Sequence, residues 1–226
     1  RLGQRIIHLL TTQTTSGQLY EVDMRLRPSG AAGLLVSSLA AFQRYQENEA
    51  WTWEHQALVR ARVLTGCARV AEGFERVRAT ILERARDLPK LQAEVSEMRA
   101  KMRDNLGSRE TAAGTGANAF DAATSFDLKQ DAGGIVDIEF MVQYAALAWS
   151  GQHPELHRYT DNIRILDGLR DVGLLPAADV ELLQEAYKAY RSAAHRQALQ
   201  KQPGKVGGDQ FAEERRSVMR LWRELG

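Results

Sequence analysis

One alternating segment near the start of the chain carries the residue types that phosphate chemistry needs. Between Leu19 and Arg27, apolar residues alternate with Glu21, Asp23, Arg25 and Arg27. Strict alternation predicts a β-strand with one polar face. Guanidinium groups bind phosphate oxygens in pairs, and a carboxylate can hold a magnesium ion or accept a proton. This face therefore suits a metal–triphosphate ligand.

A second alternating run predicts another strand. In Ala57–Leu64 the arginines Arg60 and Arg62 share one face. If both strands lie in one sheet, these two arginines extend the first polar face. The alternative is the solvated outer face of an antiparallel sheet with surface ion pairs, and alternation alone does not exclude it.

A third group of charged residues surrounds Gly133–Gly134, a turn that precedes a predicted helix. Asp137 and Glu139 resemble a metal-binding pair, but residues two apart diverge on a helix. Acidic residues are also favoured in a first helical turn by the helix dipole, so we interpret both as structural. The turn beside Lys129 and Asp131 could nevertheless approach a nucleotide.

Residue spacing predicts a mixed α/β first third followed by helices. Residues 107–126 are rich in Gly, Ala, Ser and Thr and predict a long loop. The predicted helices are an opening helix from Leu2, Leu39–Gln46, two segments meeting near Pro89, Ile135–Trp149, Thr160–Val172 with Thr160 as N-cap, Ala177 to about Gln200, and about Asp209 to Leu225. The predicted fold is α+β, mostly α, with a partial sheet domain at 1–68 and an antiparallel helical bundle at 69–226.

Composition excludes several classes of protein. The 226 residues carry a formal net charge of +1, which argues against a nucleic-acid binder with a broadly basic surface. No apolar run reaches the roughly 18 residues of a membrane span, and we expect no signal peptide in Arg1–Leu10. Cys67 is the only cysteine, so a reducing, cytoplasmic setting is expected. His55 and His195 are isolated and predict no zinc site.

Three long motifs resemble the bifunctional glutamine synthetase adenylyltransferase/adenylyl-removing family. They read Leu19-Tyr-Glu-Val-Asp-Met-Arg-Leu-Arg-Pro-Ser-Gly-Ala-Ala-Gly33, then Glu49-Ala-Trp-Thr-Trp-Glu-His-Gln-Ala-Leu-Val-Arg-Ala-Arg62, and Phe126-Asp-Leu-Lys-Gln-Asp-Ala-Gly-Gly-Ile-Val-Asp-Ile-Glu-Phe140. The pattern Ala50-Trp-Thr-Trp-Glu54 is similar to the C-terminal, adenylylating half. In the adenylyl-removing half we expect Arg-Asp-Trp-Glu there.

The resemblance implies a polymerase-β-like nucleotidyltransferase sheet followed by a helical bundle. Such cores use three carboxylates, and Asp23 matches the third, with Glu21 as a further candidate metal ligand. The other two belong to an Asp-x-Asp pair that this sequence lacks. The chain also begins at Arg1 inside a helical pattern, so we expect a segment that is inactive alone.

The implied reaction transfers AMP from ATP to a tyrosine of glutamine synthetase and regulates nitrogen assimilation. Mg²⁺ would stabilise the reacting oxygens. Asp23 would be catalytic, and the basic residues would bind the triphosphate: Arg25, Arg27, Arg60, Arg62 and Lys129. Glutamine and a PII-type signalling protein are the implied regulators, and neither nucleic acid nor membrane is an expected partner.

Two other functions remain open from the sequence. One is the adenylyl-removing reaction, a phosphorolysis of the same tyrosine–AMP bond. The other is a non-catalytic helical module for interaction or regulation. A transferase requires Asp23, whereas an interaction module tolerates its loss.

Overall fold

The computed structural model describes residues 1–18, 21–108 and 125–225, without the side chains of residues 31 and 225. Most of the predicted loop at 107–126 lies outside these residues. In chain order the described α-helices are α1 Leu2–Thr11, α2 Leu39–Asn48, α3 Thr52–Arg60, α4 Ala68–Leu82, α5 Leu88–Leu106, α6 Ile135–Trp149, α7 Asn162–Asp171, α8 Ala177–Leu199 and α9 Ala212–Leu225. The prediction of an α+β, mostly α fold is confirmed.

Helix α6 is the centre of the core. It is apolar around most of its circumference, and nearly all its side chains are buried. Such a helix must be covered on every side, and α3, α5, α7, α8 and α9 all contact it. Within the described residues, no helix is both long and apolar enough to cross a membrane.

The described strands are short and form two antiparallel pairs. β1 (Gln13–Thr14) pairs with β2 (Gly17–Gln18) in a hairpin. β3 (Ser125–Asp127) pairs with β4 (Lys205–Gly207), with Phe126 opposite Val206. The second pair joins the segment before α6 to the segment before α9.

The predicted strand Leu19–Arg27 is wrong over residues 21–27, which have no regular secondary structure; its first two residues lie outside the described part of the chain. Exposure still alternates between Glu21 and Arg25. A strand is defined by hydrogen bonds to a neighbour, and the two described sheets contain no partner for this segment. The side-chain alternation is therefore present without the strand.

The predicted strand Ala57–Leu64 is also wrong. Helix α3 continues to Arg60, and the chain turns extended at Ala61. The Glu54 carboxylate accepts a hydrogen bond from the Trp51 backbone N–H at 3.0 Å and so stabilises the start of α3. The alternation covers only the five residues 59–63, too few to distinguish the two-residue period of a strand from the 3.6-residue period of a helix. In the structure the first two of them belong to α3.

The other helix predictions hold to within a few residues, with one correction at α7. The N-cap is Asp161, not Thr160. Its side chain accepts a hydrogen bond from the Arg164 backbone N–H at 3.0 Å. An aspartate caps at least as well as a threonine, so either neighbour suited the pattern. Gly173, the residue after the predicted helix end at Val172, has φ +75°, as is common just beyond a helix.

Candidate functional site

Asp23 and Arg25 form an exposed, paired unit. Arg25 Nη2 lies 2.7 Å from Asp23 Oδ2, and the Arg25 backbone N–H donates to Asp23 Oδ1 at 2.9 Å. The side-chain hydrogen bond from Arg25, followed by the backbone one, lowers the pKa of Asp23 to about 2. At neutral pH Asp23 is thus an ionised carboxylate open to solvent. Glu21 is exposed nearby.

Arg27 holds a tight loop rather than extending a flat polar face. Its guanidinium donates to the backbone oxygens of Met24 and, at 3.3 Å, Gly33. A Cβ at Gly33 would lie 1.9 Å from the Pro28 oxygen, so this loop needs glycine there. The alternating pattern identifies Arg27 as a polar residue of this segment. It does not indicate that the guanidinium donates hydrogen bonds to backbone oxygens of the same loop.

Arg60 lies at the carboxyl end of α3, where three other helices converge. Its Nη1 atom is 3.2 Å from Glu139 Oε1 on α6 and 3.1 Å from Asn162 Oδ1 on α7. Tyr187 on α8 donates to the same Glu139 oxygen at 3.4 Å. No local pattern indicates this polar cluster, because even Arg60 and Asn162 are 102 positions apart in the sequence.

Two predicted ligands, Arg27 and Arg60, line one cavity. It has a volume of about 290 Å³ and lies between the 26–28 segment and helices α2 and α3. Arg62 is exposed in the extended chain after α3, and Lys129 is exposed in the turn before α6. Neither of these two lines the cavity, nor does Asp23. The structure thus brings together Asp23 with Arg25, and Arg27 with Arg60.

The acidic pair Asp137 and Glu139 separates on α6, as helical geometry predicts. Asp137 is fully buried; its Oδ1 lies 2.5 Å from Arg99 Nε and 3.2 Å from Arg103 Nη2. Its Oδ2 accepts the Gly133 backbone N–H at 2.6 Å. Asp137 therefore joins α5, α6 and the glycine turn, while Glu139 faces Arg60.

The glycine turn is shaped by close backbone contact with α9. Gly133 has φ +79°, and a Cβ there would lie 2.6 Å from the Arg215 backbone oxygen. Arg215 is itself buried, and its guanidinium carbon lies 3.9 Å from the centre of the Phe126 ring. These contacts give the turn a packing role.

A larger cavity of about 590 Å³ lies between the start of α3 and helix α5. Trp51 lines it and is 69% exposed, so the usual role of tryptophan in packing does not apply to this residue. His55, by contrast, is buried: its Nδ1 accepts from Arg86, and its Nε2 donates to the Gln46 oxygen at 3.0 Å.

The described residues do not form a complete magnesium site. No group of three or more His, Cys, Asp or Glu side chains within the described ranges could hold a metal ion. Asp23 and Glu21 could contribute at most part of a ligand set.

The chain is similar to known proteins over its whole length. Residues 1–77 match the family described as glutamate-ammonia ligase adenylyltransferase, and residues 96–207 match GlnD PII-uridylyltransferase. Proteins named bifunctional glutamine synthetase adenylyltransferase/adenylyl-removing enzyme are 76% identical in Pseudomonas syringae pv. tomato, 74% in Pseudomonas putida and 53% in Hahella chejuensis. Each match spans 100% of this chain and 23% of the relative.

The whole chain is similar to one part of these proteins. It spans about a quarter of the relatives' length. The match to the adenylyltransferase model includes the Asp23 segment, α2, α3 and the start of α4. The match named for the uridylyltransferase includes most of α5 and the bundle up to β4.

Proposed function

We propose that this chain is part of the adenylylating half of such an enzyme, which transfers AMP from ATP to a tyrosine of glutamine synthetase in the cytoplasm. The observation that carries the proposal is the exposed, ionised Asp23 in a segment rich in arginine. The relatives' names support glutamine synthetase as the target.

In the proposed reaction, the tyrosine hydroxyl oxygen forms a bond to the α-phosphorus of ATP. The bond from that phosphorus to the bridging oxygen breaks, and pyrophosphate leaves. Asp23 would accept the hydroxyl proton once its ion pair with Arg25 opens, because that pairing lowers its pKa and so weakens it as a base. The Asp23–Arg25 pair is exposed, so it can open at little cost when substrate arrives.

The proposed triphosphate ligands are the arginines of this segment and of α3, with Lys129 as a further candidate. Arg60 is held in position, since its Nη1 atom donates to Glu139 and Asn162. A positioned guanidinium loses less freedom when it binds phosphate. Arg25 and Arg62 are exposed and can reorganise around the ligand.

Mg²⁺ and a full catalytic core would require residues that this chain does not provide. Asp23 and Glu21 would supply part of the metal site, and residues of the longer protein would supply the rest. We therefore propose that the chain alone is inactive. The division at residues 68 and 69, and regulation by glutamine and a PII-type protein, likewise remain predictions.

The test uses a protein of the relatives' full length. It is incubated with Mg-ATP and glutamine synthetase, and added AMP is measured by intact mass. Asp23→Ala is expected to abolish the modification. Asp171→Ala is the matched control, because Asp171 is also exposed and paired with a neighbouring arginine at 3.0 Å; it should retain activity.

The same proteins distinguish the other two functions. If the full-length protein instead releases AMP from modified glutamine synthetase in the presence of phosphate, and this release depends on Asp23, the segment belongs to the adenylyl-removing half. If Asp23→Ala leaves both activities unchanged, the segment is a solvated face and an interaction role is favoured.

A further inference from the structure

The cavity shared by Arg27 and Arg60 has the size of part of a ligand. Its volume of about 290 Å³ lies just below the range of about 300–1,000 Å³ for small-molecule sites. Such a space suits one ring system rather than a whole nucleoside triphosphate. The remainder of the ligand would extend toward solvent.

The walls of the cavity are apolar in part. Phe42 on α2 and Leu58 on α3 line it, and Phe42 also packs against Phe74 with a centroid distance of 5.7 Å. Aromatic and aliphatic walls favour a flat, apolar ring face. The cavity therefore favours a heteroaromatic group over a sugar or a phosphate.

One buried amide supplies the polar feature that could select the ring. Gln46 lines the cavity and is only 5% exposed. Its Oε1 atom is buried, and no residue in the described ranges donates a hydrogen bond to it. A buried acceptor without a donor costs free energy unless a ligand supplies one. Glu54 also lines the cavity, but its carboxylate already accepts from the Tyr45 hydroxyl at 2.9 Å and from a backbone N–H.

The same cavity is bordered by cations that suit an anionic tail. Arg60 is partly exposed at 36% of its side chain, with Nη1 held on Glu139. Arg27 holds the loop that forms the opposite wall. A flat ring with an amino donor, attached to phosphates, matches this combination of apolar wall, buried acceptor and guanidinium.

We propose that this cavity holds the purine base of the nucleotide, with Gln46 accepting a hydrogen bond from the base's amino group and Arg60 beside the phosphates. This inference rests on the proposed function and adds to it a specificity-determining residue. Gln46 would select an amino-substituted purine because its acceptor stays unsatisfied with any ring that lacks the donor.

The experiment compares ATP with purine riboside triphosphate, which lacks the amino group, as competing ligands of the full-length protein. One neutral hydrogen bond corresponds to about a 3- to 10-fold preference for ATP. Gln46→Met keeps the size of the side chain and is expected to abolish that preference. Gln43→Met is the matched control on the same helix; Gln43 is exposed, bonds to Glu47 at 2.8 Å, and should leave the preference intact.

A second variant fills the space. Ala57 lines the cavity, and Ala57→Leu is expected to weaken both nucleotides at least about 10-fold. Circular dichroism and the melting temperature confirm that each variant is folded. A preference that persists in Gln46→Met, or equal weakening of both nucleotides by that variant, overturns the base site.

The two proposals fail in different ways. If the wild type modifies glutamine synthetase but Gln46→Met retains the preference for ATP, only the base site is wrong. If the wild type neither binds ATP nor transfers AMP, the proposed function is wrong and the base site is rejected with it.

Discussion

The buried pair of Asp137 and Arg99 gives the sharpest test of how this fold is held together. Both side chains are 1% exposed, and their closest atoms are 2.5 Å apart. Asp137→Asn keeps the shape but removes the charge, so the Arg99 guanidinium loses its counter-charge inside the core. Breaking a buried pair on one side costs roughly 3–5 kcal/mol. The new amide would also turn an NH₂ group toward donors, since Arg103 and Gly133 both donate to this carboxylate.

Urea unfolding followed by far-UV circular dichroism measures the loss. With a slope of about 1–3 kcal/mol per molar urea, a loss of that size lowers the midpoint by at least about 1 M. Glu139→Gln is the matched control two residues along α6. Its ion pair with Arg60 is partly exposed, so about 0–1 kcal/mol is expected. Equal losses for the two variants would refute the reasoning, because burial would then not govern the cost.

A double variant separates charge from packing. Asp137→Leu with Arg99→Met removes both charges and refills the space with apolar side chains. Replacing a buried pair in this way is often close to neutral. We expect the double variant to be more stable than Asp137→Asn. If it is less stable, the hydrogen bonds of the network matter more than the uncompensated charge.

Three further variants probe other contacts by the same urea assay. Arg78→Met removes donors to three backbone carbonyls, two of them at the end of α3, and should cost about 2–4 kcal/mol. Burial, followed by a neighbouring guanidinium, lowers the pKa of His55, so the unfolded chain binds its proton more readily. Stability should fall as pH drops below about 6.5, by up to about 1.4 kcal/mol per pH unit, and it should fall less in His55→Gln. In Gly133→Ala the new Cβ would clash with the α9 backbone, so this variant should lose more stability than Gly173→Ala. Gly173 also has positive φ but has open space around it, and Gly173→Ala should lose about 1–2 kcal/mol of stability.

Helix positions were predictable where local rules agreed. For α6, the Gly133–Gly134 turn predicts where the helix starts, and the apolar stretch after it predicts that the helix is buried. The predicted bounds match the observed ones. Pro89 lies near the start of α5, where proline is tolerated. The β3–β4 pair was missed because three-residue strands separated by three helices leave no local pattern.

The candidate site was predictable in residue type but not in arrangement. The alternation at Asp23 and Arg25 correctly indicates side chains on one side of the chain, and the two pair. The same alternation falsely predicts strands, since pairing partners are a property of the whole fold. The contact of Arg60 with Glu139 joins residues 79 positions apart. No periodicity within either segment could have indicated it.

These long-range contacts connect Arg60, which is proposed to bind the nucleotide phosphates, to the helical core. Helix α3 buries Leu58 and Val59, and Arg78 on α4 binds the backbone oxygens of both. Arg60 follows directly and is held by Glu139 on α6. The backbone just before Arg60 is thus bound by α4, and the tip of its side chain is bound by α6. Of the residues proposed to bind phosphate, Arg60 therefore depends on bundle packing for its position, although the alternating segment that motivates the phosphate site lies at residues 19–27.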